Sequence, residues 1–321
     1  MDVADSACCC PIEDYGLIGD MHSCALISKI GSLDFLCWPV FDSPSVFSWL
    51  LDNNKGGYFS IKANSDVKAI SKQKYLPDTN MLNTKWISQG GVVDVLDYFA
   101  VAKSKPPSTL DKNVLSGYCP CRDLTPPPEK LERHSGVVRK ICCLRGTMDM
   151  AIEIFPAFNY ARDEHKVTAF PPSDANGLGV RTVVFESATE IPHVDIHSEG
   201  KTDNVHDSPV MQFELQEKAE HGGQGLRMKL KMSTEQSVAF VVHGAETTIL
   251  KHDVTSYLDR LEQETFNFWT SWTRQCTFKG RYREQVLRSL LILKLLTYLP
   301  TGTIVASPIF SLPENIGGSR N

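Results

Sequence analysis

Two sets of side chains in this sequence have types and spacings able to do chemistry. The first is the segment His193-Val-Asp-Ile-His197. Alternate residues of an extended strand share a face, so His193, Asp195 and His197 stand in one row. Two imidazoles flanking a carboxylate are a donor set for a metal. A polar outer face of a sheet is the simpler reading of the same row, and no metal is expected there. The second set is carboxylates: Asp94 and Asp97 on or beside one strand, Glu262 and Glu264 on the wet side of a helix, and Glu314 in the last loop. Paired carboxylates do general acid–base work, but each of these is expected to be solvated surface charge. Neither a Gly-rich phosphate loop nor a Gly-x-Ser-x-Gly nucleophile turn occurs, so no nucleotide cofactor and no serine hydrolase chemistry is indicated.

The elements that must position these groups are drawn from an ordinary globular composition, 42% hydrophobic and 22% charged over 321 residues, enough for one large domain or two smaller ones. The formal net charge of −5 and pI near 6.0 argue against nucleic acid or an anionic membrane as partner. A neutral ligand fits as well. The N-terminus MDVADSACCC lacks the positive charge and apolar core of a signal peptide, and the chain has no Asn-x-Ser/Thr acceptor, so a cytoplasmic location is expected. The run SLLILKLLTYL is interrupted by Lys294 and is too short to span a bilayer. Of ten cysteines, seven cluster at Cys8 to Cys10, Cys119 and Cys121, and Cys142 and Cys143, and Cys24, Cys37 and Cys276 stand alone. None has the C-x-x-C spacing of a structural zinc site, so they read as thiols.

Turn formers punctuate Ile12 to Leu51. The apolar runs CALISKI and LDFLCW flank Gly31-Ser32, which predicts a hairpin. Asp42 and Ser43 precede Pro44 and then VFSWLL, a start signal for a short helical turn. Asn53 to Lys62 reads as a turn and strand, and Tyr75 to Asp97 as a hairpin about Gly90-Gly91. Residues 101–132 carry two proline clusters without periodicity and read as a long insertion loop. Beyond it alternation is clean: Met150, Ile152 and Ile154; Met211, Phe213 and Leu215; Leu226, Met228, Leu230 and Met232. Strands with one wet and one dry face belong in antiparallel sheets packed as a sandwich, here to about Gly244. The period then switches. Leu258, Leu261, Thr265, Phe268 and Trp272 recur at helical spacing within Asp253 to Phe278, and a second helix, Arg281 to Leu299, is apolar on nearly every side, so it needs other helices around it.

The blocks DYGLIGD, ALIS, GSLDFLCWP and FDSPSVFSWLL, in that order, resemble the N-terminal segment of the glucoamylase-like and trehalase-like enzymes of glycoside hydrolase family 15. LPDTN with VVDVLDYF continues the likeness, and LPENIGGSRN at the end resembles the family loop after its first barrel helix. The likeness is weakest across the proline-rich insertion. It implies a mainly β fold: an antiparallel β-sandwich over residues 1–247, a linker helix over 248–280, and over 281–321 the start of a truncated (α/α)6 barrel. It also implies inverting hydrolysis of α-glucosides or trehalose-type sugars by two carboxylates, both of which the family places beyond Asn321. No catalysis is then expected from these residues. The segment Trp38 to Ser45 would lean on the barrel mouth, with Trp38, Phe41, Asp42 and Arg320 as substrate-rim candidates and Trp86 as a further stacking aromatic. The alternative is a stand-alone carbohydrate-binding or protein-interaction sandwich, and self-association through residues 281–299 is open.

Overall fold

A computed structural model describes residues 10–101, 136–171, 181–188, 191–199, 209–244 and 254–308. The proline-rich insertion, Glu314 and Arg320 lie outside them. The strands are β1 (Tyr15–Gly19), β2 (Cys24–Ser28), β3 (Ser32–Cys37), β4 (Ser45–Phe47), β5 (Tyr58–Ala63), β6 (Ala69–Tyr75), β7 (Leu82–Ser88), β8 (Gly91–Phe99), β9 (Gly136–Phe155), β10 (His165–Ala169), β11 (Arg181–Ser187), β12 (Pro192–Glu199), β13 (Val210–Lys218), β14 (Gly223–Ser233) and β15 (Ser237–Gly244). Two helices follow, α1 (Val254–Thr273) and α2 (Arg283–Leu295). Among the described residues no helix is long and apolar enough to cross a membrane.

Every pairing in the large sheet is antiparallel, and β9 makes two layers of it. Its C-terminal half, from Thr147, pairs with β5 and β14. Its N-terminal half pairs with β8 and β15. The first layer therefore holds β1 to β5, β13 and β14, and the second holds β6 to β8, β10 to β12 and β15. Between the halves lies Gly146, with φ +69°, where a Cβ would meet the Gly90 carbonyl oxygen at 2.1 Å. Only glycine serves there. The inward residues of both layers fill one core, including Ile61, Val95, Ile141, Ile152, Met228 and Phe240, as the alternation predicts.

Arg139 lies inside that core. It sits on the same face of β9 as Val137 and Ile141, opposite Phe240 of β15. Both Arg139 and Asp97 of β8 have fully buried side chains. Nε donates to Asp97 Oδ1 at 2.8 Å, and Nη2 to Asp97 Oδ2 at 3.4 Å. Nη1 and Nη2 also donate across to the first layer, to the carbonyls of Phe59 and of Gly31, the latter at 2.9 Å. The guanidinium lies 4.6 Å from the Phe59 ring centroid. The sequence expectation of a solvated Asp97 is corrected, because its position in β8 points it inward and Arg139 supplies the counter-charge.

Three further expectations change. Ser45, Val46 and Phe47 form β4 rather than a helical turn, pairing with β3. All three are buried, so sheet pairing outweighs the local start signal, and a single turn remains where Leu51 N bonds the Ser48 carbonyl. The first helix stops at Thr273 and is anchored by Trp269, which is 1% exposed, while Phe268 and Trp272 are only partly buried. The second helix stops at Leu295, because Thr297–Tyr298 turns into a short hairpin with Thr303–Ile304 around Pro300 and Gly302. It is not apolar all round in use: Leu287, Leu291 and Leu295 form one buried face, whereas Leu293 is 48% exposed. The first helix lies on the outer face of the second layer, reaching β9 and β12, and the second lies against the β6–β7 turn and Gly19 of β1; both belong to one cluster with Val138, Ala239 and Val241. Lys140 of that face reaches Glu262 at 2.9 Å and Asp259 at 3.2 Å.

Asp97→Asn leaves a buried guanidinium without its counter-charge. It is expected to destabilise the chain by about 3–5 kcal/mol, read from urea unfolding. Replacing both residues by leucine and methionine should lose much less; equal losses for the single and double variants would refute the pairing energetics.

Candidate functional site

The segment singled out in the sequence, Trp38 to Ser45, caps one end of the first layer. It leaves β3 through a cis Trp38–Pro39 peptide and closes on itself, with Trp38 N bonded to the Pro44 carbonyl and Val40 N to Ser43 Oγ. Trp38 and Phe41 are each 4% exposed, which corrects the expectation of sugar-stacking ring faces. Trp38 instead stacks on Phe99 with centroids 6.2 Å apart, and Phe41 meets the edge of Tyr298 at 6.3 Å. Trp86 is likewise buried. Large aromatic area is worth more in a core than in water. Of the rim candidates only Asp42 presents its side chain to solvent; Arg320 lies outside the described residues.

Two neighbouring turns complete this end. In the β1–β2 turn, Asp20 Oδ1 accepts from the N–H of His22 and of Ser23, at 3.0 and 2.9 Å. This local Asx pattern lets Met21 hold φ +68°. Burial raises the Asp20 carboxyl above its usual range, against the pull of His22 and the two N–H donors. The ring of His22 lies edge-on to Tyr298 at 5.9 Å, and Leu299 N bonds the Met21 carbonyl at 2.9 Å, which ties the segment after α2 to the turn.

The second turn, Phe158–Ala161, is left-handed. Asn159, Tyr160 and Ala161 have φ of 51°, 59° and 58°, a conformation that costs an L-residue roughly 1–2 kcal/mol. Its surroundings hold it there: Tyr160 N donates to Ser45 Oγ at 2.8 Å, Asn159 Nδ2 to Asp163 at 3.1 Å, and the Tyr160 hydroxyl lies 3.8 Å from Cys37 Sγ. Burial pushes the Cys37 thiol up to about 11, with Tyr160 opposing. On β3, which feeds the loop, Asp34 accepts from Ser32 Oγ at 2.5 Å and from the Tyr15 hydroxyl at 2.8 Å. Burial nevertheless lifts its carboxyl to about 6.

The His-x-Asp-x-His row does share one face of β12, and that face lies under α1. His243 of β15 joins it: its Nε2 is 3.1 Å from Asp195 Oδ2, and its ring is 5.5 Å from that of His193. Thr182 Oγ1 donates to Asp195 at 2.6 Å. Burial pushes Asp195 up, but the bonds from His243 and Thr182 outweigh it and hold the carboxyl below its usual value. Burial and nearby His243 push His193 down. His197 Nε2 meets Thr255 Oγ1 in the first turn of α1 at 3.0 Å. No group of three or more His, Cys, Asp or Glu among the described residues is arranged to hold a metal. The row is a set of partnered polar groups that seats the helix.

Of the other carboxylates, Asp94 pairs with Lys85 at 3.3 Å, Asp97 with Arg139, and Glu262 with Lys140; Glu314 lies outside the described residues. What this end offers is hydrogen-bonding surface: Asp42, His22 and Tyr160. Asp20, Tyr160, Arg139, His243 and Trp269 were not picked out from the sequence. Asp20 had a signal, a turn-type Asp after Gly19, whereas the left-handed Tyr160 had none.

Residues 5–131 match the family model described as trehalase-like, N-terminal. The chain is 31% identical over 310 residues to a trehalase of Thermoplasma volcanium, covering 97% of this chain and 41% of the relative. It is 31% identical over 296 residues to a trehalase of Thermoplasma acidophilum, with 92% and 42% covered. To a trehalase of Mycobacterium tuberculosis it is 27% identical over 315 residues, with 97% and 41% covered. The chain thus spans about two fifths of the length of the curated relatives it matches.

Ala161→Gly relieves one left-handed residue and is expected to stabilise the chain by about 1 kcal/mol, net of the entropy glycine loses on folding. A lower Tm for this variant would contradict the strain. Asp34 binds its proton more tightly in the folded chain than in the unfolded one, where the carboxyl titrates near 3.8. Its contribution is therefore fullest below about pH 4 and is lost as pH rises through about 6. The stability of Asp34→Asn relative to the parent should accordingly rise by about 2 kcal/mol between pH 4 and 7. A pH-independent difference in urea unfolding would rule this out.

Proposed function

We propose, from the similarity to trehalases over nearly the whole of these residues, that this chain is the sandwich-bearing N-terminal part of a trehalase-like glycoside hydrolase and has no catalytic carboxylate of its own. The alignment across 97% of the chain carries the reading. The match of the trehalase-like N-terminal model to residues 5–131 and the pairing of Asp94, Asp97 and Glu262 with basic side chains support it. Assignment to glycoside hydrolase family 15 rests on the sequence blocks of Ile12 to Leu51 and Leu312 to Asn321. In this reading the domains divide at residues 247 and 280, the protein is cytoplasmic, and the substrate is trehalose or a related α-glucoside.

Inversion needs an acid and a base roughly 6.5–9.5 Å apart on opposite sides of the sugar, with water between them. Such a pair would come from barrel loops, and the chain's own part is to seat the first barrel helix. α2 does lie on the sandwich: Leu295 packs so close to Gly19 that a Cβ there would come within 2.9 Å. The end formed by Trp38–Ser45, Asp20–Ser23 and Phe158–Ala161 would then face the barrel mouth, with Asp42 and Tyr160 as the groups nearest a sugar.

A stand-alone binding or interaction sandwich is the second reading, favoured by one observation: α2 already buries Leu287, Leu291 and Leu295 without further helices. Self-association would use its exposed Leu293 and the following Leu299.

Incubating the purified chain with trehalose, maltose and dextran should release no glucose above a buffer control. Release from any of the three would overturn the non-catalytic assignment. Calorimetric binding of trehalose by a stable monomer would move the choice to the second reading.

A further inference from the structure

Arg288 runs from α2 to the turn between β6 and β7 and is held there on two sides. Nη1 donates to the Thr79 carbonyl at 3.0 Å. Its guanidinium carbon lies 3.9 Å from the centroid of the Tyr75 ring. Tyr75 is fixed in turn, since its hydroxyl accepts from Leu17 N at 2.7 Å and donates to the Leu17 carbonyl at 3.0 Å. Beside Arg288, Asn80 is 1% exposed and donates Nδ2 to the Leu291 carbonyl at 3.1 Å. The plane and the position of the guanidinium are therefore set by stacking and by one anchored nitrogen.

Its other edge is not used. Nε and Nη2 are closed off from solvent and have no hydrogen-bond partner, and the same holds for Asn80 Oδ1. Among the described residues no carboxylate pairs with Arg288, although Arg139, Arg227, Lys29, Lys85 and Lys140 all have one. Burial holds Arg288 below the usual arginine range. The Tyr75 stack and the Thr79 carbonyl offset only part of the desolvation cost of this cation, and its two parallel donors at Nε and Nη2 stay unsatisfied. Nε and Nη2 together are the fork that matches the two oxygens of a carboxylate.

We propose that the Nε–Nη2 edge of Arg288 is a binding site for one carboxylate, taken side-on and bidentate, and that the carboxylate is an aspartate or glutamate side chain of a polypeptide segment packing on α2. Charge complementarity sets the ligand class. The polypeptide source follows from the apolar Leu293 and Tyr282, exposed on the same helix and just before it, and from relatives more than twice as long as the part matched here. Only the source leans on the trehalase-like reading; the site itself stands on the geometry of this chain. Because Nε and Nη2 are closed off from solvent, binding requires the groups over that edge to move aside.

Acetate is the probe, titrated into the intact chain against sodium chloride of equal ionic strength, with Tm and the Arg288 Nε–H resonance as readouts. Acetate is expected to shift that resonance saturably and to raise Tm by roughly 3 °C for each tenfold rise above its Kd, while chloride does neither. Arg288→Lys, which keeps charge but loses the fork, should abolish the Tm response. A response shared by chloride, or kept by Arg288→Lys, overturns the site, and the resonance titration decides the matter should that variant fail to fold. A blocked Ala-Glu-Ala amide should reproduce the acetate shift; acetate binding without peptide binding overturns the polypeptide source. None of these readouts depends on glycosidase activity, so the site and the proposed function fail separately.

Discussion

The fold turns on one ion pair in a place that ordinarily excludes charge. Arg139 and Asp97 lie in the middle of the sandwich, where desolvating each ion costs several kcal/mol. Asp97 offsets part of that cost, and the Phe59 and Gly31 carbonyls of the facing layer accept the remaining donors. These bonds exist only at one relative placement of the layers. Apolar packing alone tolerates sliding among similar arrangements, but a buried guanidinium short of its acceptors does not. Gly31 is fixed by the same demand: with φ +78° and room for no Cβ, it turns the β2–β3 hairpin so that its carbonyl faces inward.

Outside the sandwich the helices are attached by a different balance. Apolar contact supplies the area through Trp269, Leu258 and Leu291, and polar bonds fix the register. Lys140 to Glu262 and His197 to Thr255 hold α1, while Asn80 and Arg288 hold α2. His197 of β12 belongs to this seating, and on the same face His243 bonds Asp195 and lies against His193, so a spacing that looks catalytic in a linear reading is architectural in space.

Strand identity and the facing of side chains were readable from the sequence because period-two alternation is strong wherever one face is wet, as in Leu226 to Met232. The crossover of β9 between layers was not, since VVRKICCL and MAIEIF read as separate strands and only their pairing partners show them to be one. Arg139 did leave a trace: it occupies a core position in the alternation Val137, Arg139, Ile141, where a lone charge calls for an internal partner. The end of the sandwich was legible as loops but not as a surface. Ring burial depends on what lies over Trp38 and Phe41, and Phe99 and Tyr298 come from distant parts of the chain. Left-handed Asn159, Tyr160 and Ala161 carry no glycine to announce them, because contacts such as Ser45 to Tyr160 supply what local preference lacks.

The sharing of β9 by both layers has a mechanical meaning. A sandwich of two separate sheets can open like a book, its halves parting along the core while each keeps its own hydrogen bonds. Here one continuous strand is stitched into both, so parting the layers means tearing pairings from β5 and β14 on one side or from β8 and β15 on the other. The loops at the end of the first layer and the helices packed on the second are thus joined through one strand, and its bend at Gly146 is the point where the two layers meet.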